Sequence, residues 1–246
     1  MHFAVVSIPL GYLTLAFIPV LVVLILLFKW TNDGKSAVYA VCRMVLQLFL
    51  VGYVLQYLFD SNAPWLVMTV LSMMLFVSSW IGIRHLREKN VKAYSRAVFS
   101  VAIGSIPTLL LVVLGVMRSE TLIDARLIVP LAGMVFPPSM NVISLLSERL
   151  QAERERGVPF IEARSVALRA SLIPVTNSLL AVGLVSLPGM MTGQVLAGVD
   201  PMAAVRYQIM VMCMIFGASG ICAATYLTMS ENDSGLPNQG QGQEAR

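Results

Sequence analysis

The stretch IPLGYLTLAFIPVLVVLILLF, residues 8–28, runs without a single charged side chain. Crossing about 30 Å of hydrocarbon takes roughly 20 apolar residues in a helix. A helix also satisfies its own backbone hydrogen bonds, which lipid cannot do. This stretch therefore predicts a membrane-spanning helix close to the start of the chain.

Six further apolar blocks of similar length follow, and the whole chain of 246 residues is 57% hydrophobic and only 12% charged. Soluble domains carry roughly 25% charged residues. The sequence predicts an all-α polytopic bundle of about seven transmembrane helices over residues 1–229, followed by a disordered polar tail over residues 230–246. The six further blocks cover residues 37–59, 64–83, 97–117, 127–147, 170–191 and 206–228.

Positive charges collect in two segments between these blocks, RHLREKNVKAYSR (84–96) and ERLQAERERGVPFIEARSVALR (148–169). Loops rich in Lys and Arg stay on the cytoplasmic side of a membrane. Seven crossings then place the N-terminus outside and the C-terminus in the cytoplasm of a multi-pass protein of the inner (cytoplasmic) membrane. The net charge of +4 is therefore explained by positive loops on the cytoplasmic side of the membrane. Because of this, no nucleic-acid partner is predicted.

The sequence lacks the motifs of an autonomous pump or enzyme. It contains no G-x-x-x-x-G-K-[ST] loop for ATP phosphates, no C-x-x-C and no H-E-x-x-H. Acidic residues are absent from the apolar blocks, which argues against a carboxylate relay for protons. No catalytic residue and no cofactor are predicted. The energy must come from a partner, or the protein is an ATP-independent channel or carrier.

Polar residues inside the blocks are the candidates for a transport pathway. Arg43 and Gln47 lie four residues apart on one helix face, so Arg43 either reaches the headgroups or joins a polar stripe facing the bundle. Pro137 and Pro138 deprive carbonyls four residues back of their donors, which fits either a kinked packing helix or a pathway lining. Asn177 either joins two helices or lines the pathway. The candidate pathway residues are Arg43, Gln47, Gly133, Met134, Ser139, Asn141 and Asn177.

The segment after residue 148 predicts a break followed by a short helix. Gly157 suits a helix C-terminal cap and Pro159 restarts the chain. FIEARSVALR (160–169) predicts a short amphipathic helix, which either fits a groove on another protein or lies on lipid headgroups. Methionine thioethers bind soft metals, but no spacing here selects a metal, so metal ligands stay unassigned.

The run TNSLLAVGLVSLPGMMTGQVLAGVDPMAAVRYQIMV (176–211) resembles the signature of the FetB-like permeases, the membrane subunits of bacterial ABC transporters linked to iron export. Plant relatives are associated with aluminium tolerance. RMVLQLFLVGYVLQYLF (43–59) and VPLAGMV (129–135) extend the resemblance. This chain departs from the family where Pro137 and Pro138 replace a Gly-Asn pair, which leaves the substrate open. The matching signature residues are Pro188, Gly189, Met190, Met191, Gly193, Gly198, Asp200, Pro201, Tyr207 and Gln208.

The resemblance implies a permease homodimer that exports iron or another metal-related solute, with ATP hydrolysed by a separate ABC-type ATPase subunit. The loop 157–169 resembles the segment that couples such permeases to their ATPase. Residues 197–208 resemble that segment as well. Both segments cannot be cytoplasmic if block 170–191 crosses the membrane, whereas a re-entrant block would bring the second segment inside. Besides these protein partners only membrane lipid is expected. The candidate coupling residues are Gly157, Pro159, Phe160, Glu162 and Arg164.

Overall fold

The computed structural model describes residues 9–31, 33–60, 63–86, 90–118 and 124–233. Within these ranges every named element is helical, as the apolar blocks predict. In chain order the elements are α1 (Leu10–Leu13), a 3-10 turn (Thr14–Ala16), α2 (Phe17–Trp30), α3 (Gly34–Asp60), α4 (Pro64–Gly82), α5 (Val91–Leu110), a π-helical stretch (Leu111–Val116), α6 (Ala125–Glu155), α7 (Phe160–Ala181), α8 (Gly189–Leu196) and α9 (Pro201–Asp233).

Among the described residues, six helical stretches are long and apolar enough to cross a membrane. Each corresponds to one of the predicted blocks, so the prediction of an all-α polytopic bundle is confirmed. The chain is a multi-pass membrane protein. The six stretches are Gly11–Trp30, Gly34–Leu58, Pro64–Gly82, Val91–Val116, Ala125–Glu155 and Pro201–Glu231.

The block at residues 170–191 differs from its prediction. The structure has one 22-residue helix, α7, which begins at Phe160 and ends at Ala181, so the predicted short amphipathic helix is its first half. Its buried residues Ala163, Ala167, Ser171 and Val175 recur every four positions. This buried face runs through both predicted elements without a break and joins them. Helix α7 is not among the six stretches, and its first half carries the charged residues Glu162, Arg164 and Arg169.

Helix α9 continues through Asp233 and so extends into the first residues of the predicted tail. Ser230 is buried, and its hydroxyl donates to the Tyr226 carbonyl at 2.8 Å. Residues 230–233 therefore belong to the helix. The rest of the predicted disordered tail, residues 234–246, lies outside the described residues.

The chain forms two compact units, Met1–Ala63 and Pro64–Arg246. In the first unit α2 packs against α3. In the second unit α5, α6 and α9 pack against one another, α4 packs on α5 and α6, and α7 packs on α6 and α9. Most of the fully buried side chains of the protein lie in this second unit.

Helices α5 and α9 approach each other closely at Gly104. A Cβ atom at this position would lie 2.5 Å from the Ala218 carbonyl oxygen and 2.8 Å from the Cys222 nitrogen. Ala218 and Cys222 are themselves fully buried. Small residues allow this backbone contact between membrane helices, where dispersion and not water drives association.

Several helix ends meet at one end of the second unit. At the start of α5, Arg96 donates from Nη1 to the Ser230 hydroxyl of α9 at 2.9 Å. At the start of α7, Arg164 forms an ion pair with Glu231 of α9 at 3.2 Å. We call this the basic end of the second unit; it contains Arg96, Arg154 and Arg164.

The start of α9 lies away from the basic end, because α9 is a continuous helix of 33 residues and spans about 50 Å at 1.5 Å per residue. Its C-terminal end contacts the starts of α5 and α7. The segment at 157–169 therefore lies at the basic end, and Asp200 lies at the opposite end of α9. The two segments that resemble a coupling element are separated by the length of the bundle.

Candidate functional site

Ser139, one of the pathway candidates, lies in a buried polar seam between α5, α6 and α9. Its hydroxyl oxygen is 3.3 Å from that of Ser105, and both residues are at most 1% exposed. The Cys222 thiol donates to the Ser139 carbonyl at 3.9 Å. Within the described ranges the buried hydroxyls of Ser100 and Ser219 have no partner. Ser139 therefore contributes to packing inside the unit.

A second group of pathway candidates lies on the surface of the same unit. Gly133, Pro137 and Asn141 of α6 are exposed and recur every four residues, so they form one stripe along that helix. Asn177 of α7, which packs against α6, is also exposed. Met134 beside the stripe is half-buried. We call Gly133, Pro137, Asn141 and Asn177 the amide face.

The two asparagines of the amide face lie at similar depths. Asn141 is about four helical turns before the end of α6, and Asn177 is about five turns after the start of α7. Neither side-chain amide has a hydrogen-bond partner among the residues that the structure describes. An amide left without partners in hydrocarbon costs several kcal/mol. This face is therefore unsuited to lipid.

Arg43 and Gln47 interact in the first unit. With the Gln47 amide turned so that its oxygen faces Arg43, that oxygen accepts from Nε at 3.0 Å and from Nη2 at 3.2 Å. The prediction that the two residues share one helix face is confirmed. Two hydrogen bonds to one acceptor fix the orientation of the guanidinium and satisfy two of its five N–H donors. This pair belongs to a different compact unit from the amide face.

The turn between α6 and α7 is fixed by Gly157, whose φ of +79° is strained for other residues. The Val158 N–H donates to the Glu153 carbonyl at 3.1 Å, and the Gly157 N–H donates to the Arg154 carbonyl at 3.0 Å. These bonds form a Schellman cap, and Pro159 then precedes the first residue of α7. The predicted cap is confirmed.

Phe160 turns inward at the start of α7. It is only 5% exposed, and the Arg154 guanidinium carbon lies 6.0 Å from the centre of its ring. Among the candidate coupling residues, Phe160 therefore has its ring turned toward the bundle. Ile161 is 59% exposed and Glu162 is exposed beside it. These two side chains form the outer surface of the first turn.

Comparison with known sequences places the chain in a family. The model of the uncharacterised protein family UPF0014 matches residues 11–164 and 158–233, which together include nearly all of the described helices. The chain belongs to the UPF0014 family. The resemblance to FetB-like permeases is thereby confirmed.

Relatives of the chain occur in bacteria and plants. It is 33% identical over 208 residues to the UPF0014 membrane protein slr1647 of Synechocystis, covering 78% of this chain and 80% of the relative. It is 32% identical over 212 residues to the probable iron export permease protein FetB of Escherichia coli, covering 79% and 80%. It is 31% identical over 204 residues to Protein ALUMINUM SENSITIVE 3 of Arabidopsis thaliana, covering 76% and 73%. No solved structure matches the chain.

The residues predicted to form the family signature lie at and around the corner between α8 and α9. Pro188 precedes the first residue of α8, and Gly198, with a φ of +89°, closes a second Schellman cap. Asp200 accepts from the Ala203 N–H at 3.0 Å and caps α9, whose first residue is Pro201. Of the other signature residues, Gly189, Met190, Met191 and Gly193 lie in α8, and Tyr207 and Gln208 lie in α9.

The part of the chain that the structure describes contains no group of three or more His, Cys, Asp or Glu side chains that could hold a metal ion. Any metal contact by these residues must therefore use fewer such side chains or other donors, such as amides, carbonyls and thioethers.

The sequence analysis did not predict two contacts between helices of the second unit. The first is the close approach of Gly104 to α9. Ser100 and Gly104 are small residues four positions apart in an apolar block, a pattern that indicates close helix packing. The contact of Arg96 with Ser230 joins residues 134 positions apart. No local pattern predicts such a pair.

Proposed function

We propose that this chain is the membrane-spanning permease subunit of an ABC transporter, which exports iron or another metal with ATP hydrolysed by a separate subunit. The observation that carries the proposal is membership of a family with a relative named a probable iron export permease. The sequence contains no phosphate-binding loop of its own. A partner ATPase supplies the energy that the chain lacks.

The first turn of α7 is the proposed docking point for that ATPase. It exposes Ile161 and Glu162. The turn is attached to the bundle by the buried ring of Phe160 and by the ion pair of Arg164 with Glu231. A displacement of this turn by the ATPase is therefore transmitted to α6 and α9. The positive charges of the basic end support a cytoplasmic position for it, by the positive-inside rule. The corner at Asp200 lies at the other end of α9 and faces outward in this arrangement.

Replacing Ile161 with aspartate tests the docking point. We expect the amount of ATPase that co-purifies with the tagged permease to fall at least tenfold, which corresponds to about 1.4 kcal/mol of association free energy. The thermal stability of the permease should not change, because Ile161 is exposed. Quantitative co-purification of the two co-expressed subunits from detergent extracts is the measurement.

The matched control is Val91→Asp, which places the same charge on an aliphatic residue that is 82% exposed at the start of α5. It should leave co-purification intact. If the wild-type permease captures no ATPase, the proposed function fails. If Ile161→Asp and Val91→Asp behave alike, the docking point lies elsewhere.

The amide face is proposed to line the transport pathway between two copies of the permease. Asn141 and Asn177 are exposed on one chain and unsuited to lipid. A second copy packed on this face shields them and gives a polar route between the two chains. Freed carbonyls of Gly133 and Met134, which lack N–H donors at Pro137 and Pro138, add ligands of the kind that metal ions accept.

Changing Asn141 or Asn177 to leucine is expected to reduce ATP-dependent metal export at least tenfold, with ATPase association unchanged. Leucine removes the amide and leaves the helix intact, because its helix propensity exceeds that of asparagine. Metal accumulation in cells that express both subunits is the measurement. Thr225→Val on α9 is the control, since the Thr225 hydroxyl is exposed but bonded to its own helix at Ile221. Normal export by both asparagine variants rules out the amide face as the pathway.

A further inference from the structure

The pair of Arg43 and Gln47 lies in the middle of α3, one of the stretches long and apolar enough to cross a membrane. Gln47 has thirteen helix residues on each side. Arg43 is nine residues after Gly34, the first residue of α3, or about 14 Å along the helix axis. Arg43 is half-buried and Gln47 is exposed. Neither the amide face nor the docking point on α7 includes these two residues.

The Arg43 guanidinium is turned toward the centre of α3. Its bonds from Nε and Nη2 run to the Gln47 oxygen, at 3.0 and 3.2 Å, and Gln47 is one turn nearer the centre than Arg43. An arginine that reaches lipid headgroups extends its side chain toward the nearer end of the helix. Since the bonds to Gln47 hold the guanidinium in the opposite direction, this geometry does not favour a partner among the headgroups.

The pair presents only hydrogen-bond donors to its surroundings. The Gln47 oxygen has two lone pairs, and the two bonds from Arg43 use both. Three N–H groups of Arg43 and the NH2 group of Gln47 remain. The remaining N–H groups of Arg43 include one on Nη1 and one on Nη2 that point in parallel. Two parallel N–H groups of this kind bind both oxygens of a carboxylate.

The charge of Arg43 has no carboxylate beside it in the described part of the first unit. The acidic residues of that unit are Asp33, ten residues before Arg43, and Asp60, 17 residues after it. Among the described residues, the partner of Arg43 is Gln47. A charge in hydrocarbon is costly, and a hydrogen-bonded counter-ion offsets that cost. Arg43 therefore favours an anion and repels a bare metal cation.

We propose that the Arg43–Gln47 pair binds a carboxylate group of the cargo, and that the metal is exported as an anionic complex with an organic acid. The single charge of Arg43 matches the single charge of a carboxylate, whereas a phosphate group carries about 1.5 to 2 negative charges. A metal that keeps its organic acid needs no cluster of protein ligands, and the described residues contain no such cluster. The inference rests on the proposed function, because it assigns the ligand of the exported metal.

The first test measures binding by the purified full-length permease in neutral detergent, without the ATPase. The probe for equilibrium dialysis is the complex of Fe³⁺ with citrate, with separate radiolabels on the metal and on the acid. We expect both labels to bind together, and the uncharged ester triethyl citrate not to compete. Radiolabelled phosphate, dialysed separately, should not bind. The proposal is overturned if neither label binds, or if phosphate binds and Arg43→Gln removes that binding.

The decisive variants change the pair in two ways. Arg43→Gln should weaken binding of the complex at least tenfold, and Arg43→Lys, which keeps the charge without the fork, should lie between this variant and the wild type. Gln47→Glu keeps the size of the side chain and its bonds to Arg43 but supplies a carboxylate of its own. It should also weaken binding at least tenfold, with an unchanged gel-filtration profile.

Lys35→Gln is the control for charge, because it removes a positive charge from an exposed position of the same helix. It should change the affinity for the complex less than twofold. Equal weakening of binding by Arg43→Gln and Lys35→Gln would overturn the assignment of the site.

Export in liposomes separates this inference from the proposed function. With the ATPase, ATP and Mg²⁺ present, we expect export of the Fe³⁺ citrate complex and no export of Fe²⁺ supplied without an organic acid. ATP-driven export of Fe²⁺ alone overturns the inference and leaves the proposed function in place. If neither form of iron is exported, the proposed function fails, and the binding measurement decides by itself whether the pair binds a carboxylate.

Discussion

Replacing Gly104 with leucine is expected to abolish accumulation of folded protein, and Gly104→Ala is expected to lower its stability markedly. A Cβ atom at Gly104 would lie 2.5 Å from the Ala218 carbonyl oxygen of α9, so the two helices must move apart. Overpacking of this kind typically costs about 1–3 kcal/mol for one added group. The roughly 1 kcal/mol by which alanine favours a helix over glycine does not offset the larger part of that range.

Gly217→Ala is the matched control for Gly104. Gly217 lies next to Ala218 in the same helix, and a Cβ atom there has no neighbour within 4 Å. This variant should equal or exceed the wild type in stability. Temperature-dependent loss of the monodisperse peak in detergent gel filtration compares the three proteins. Equal stability of Gly104→Ala and Gly217→Ala would mean that α5 and α9 do not pack at Gly104.

Phe160→Ala is expected to destabilise the protein by about 3 kcal/mol, at the low end of the range for buried Phe to Ala changes. The low end applies because a cavity already lies beside the ring and the site is near the end of the bundle. Phe160 is 5% exposed, so its loss frees the first turn of α7 and removes the ring under Arg154. Equilibrium unfolding in mixed detergent micelles gives the free-energy difference.

Ile161→Ala separates stability from docking. The Ile161 side chain is 59% exposed, so truncating it to alanine should change the unfolding free energy by less than about 0.5 kcal/mol. The expected pattern is that Phe160→Ala loses stability and Ile161→Ala does not. The reverse pattern would show that α7 begins with a different face toward the bundle.

The all-α fold and the position of most helices can be predicted from the sequence, because hydrocarbon offers the backbone no hydrogen-bond partners. A backbone in hydrocarbon must satisfy its own hydrogen bonds, so each apolar block long enough to cross the membrane predicts a helix at that position. Gly157 was equally predictable, since a helix that ends in the left-handed region favours glycine. These features depend only on residues close together in sequence.

The start of α7 was not predictable in the same way. Hydropathy divides residues 160–181 into a charged half and an apolar half, whereas the buried face from Ala163 to Val175 makes them one helix. The inward position of Phe160 and the burial of Ser139 depend on packing between distant segments. The pairing of Arg43 with Gln47 was predictable, because residues four apart on a helix are neighbours.

The most direct test of the proposed function is metal flux in liposomes. The purified permease is reconstituted with and without the ABC-type ATPase that it captures, and iron movement is followed with a metal-sensitive dye on the side opposite to the loaded metal. We expect transport only when both proteins, ATP and Mg²⁺ are present, and none with a non-hydrolysable ATP analogue. Rapid iron flux through liposomes that contain this chain alone would contradict the account and indicate an ATP-independent channel or carrier.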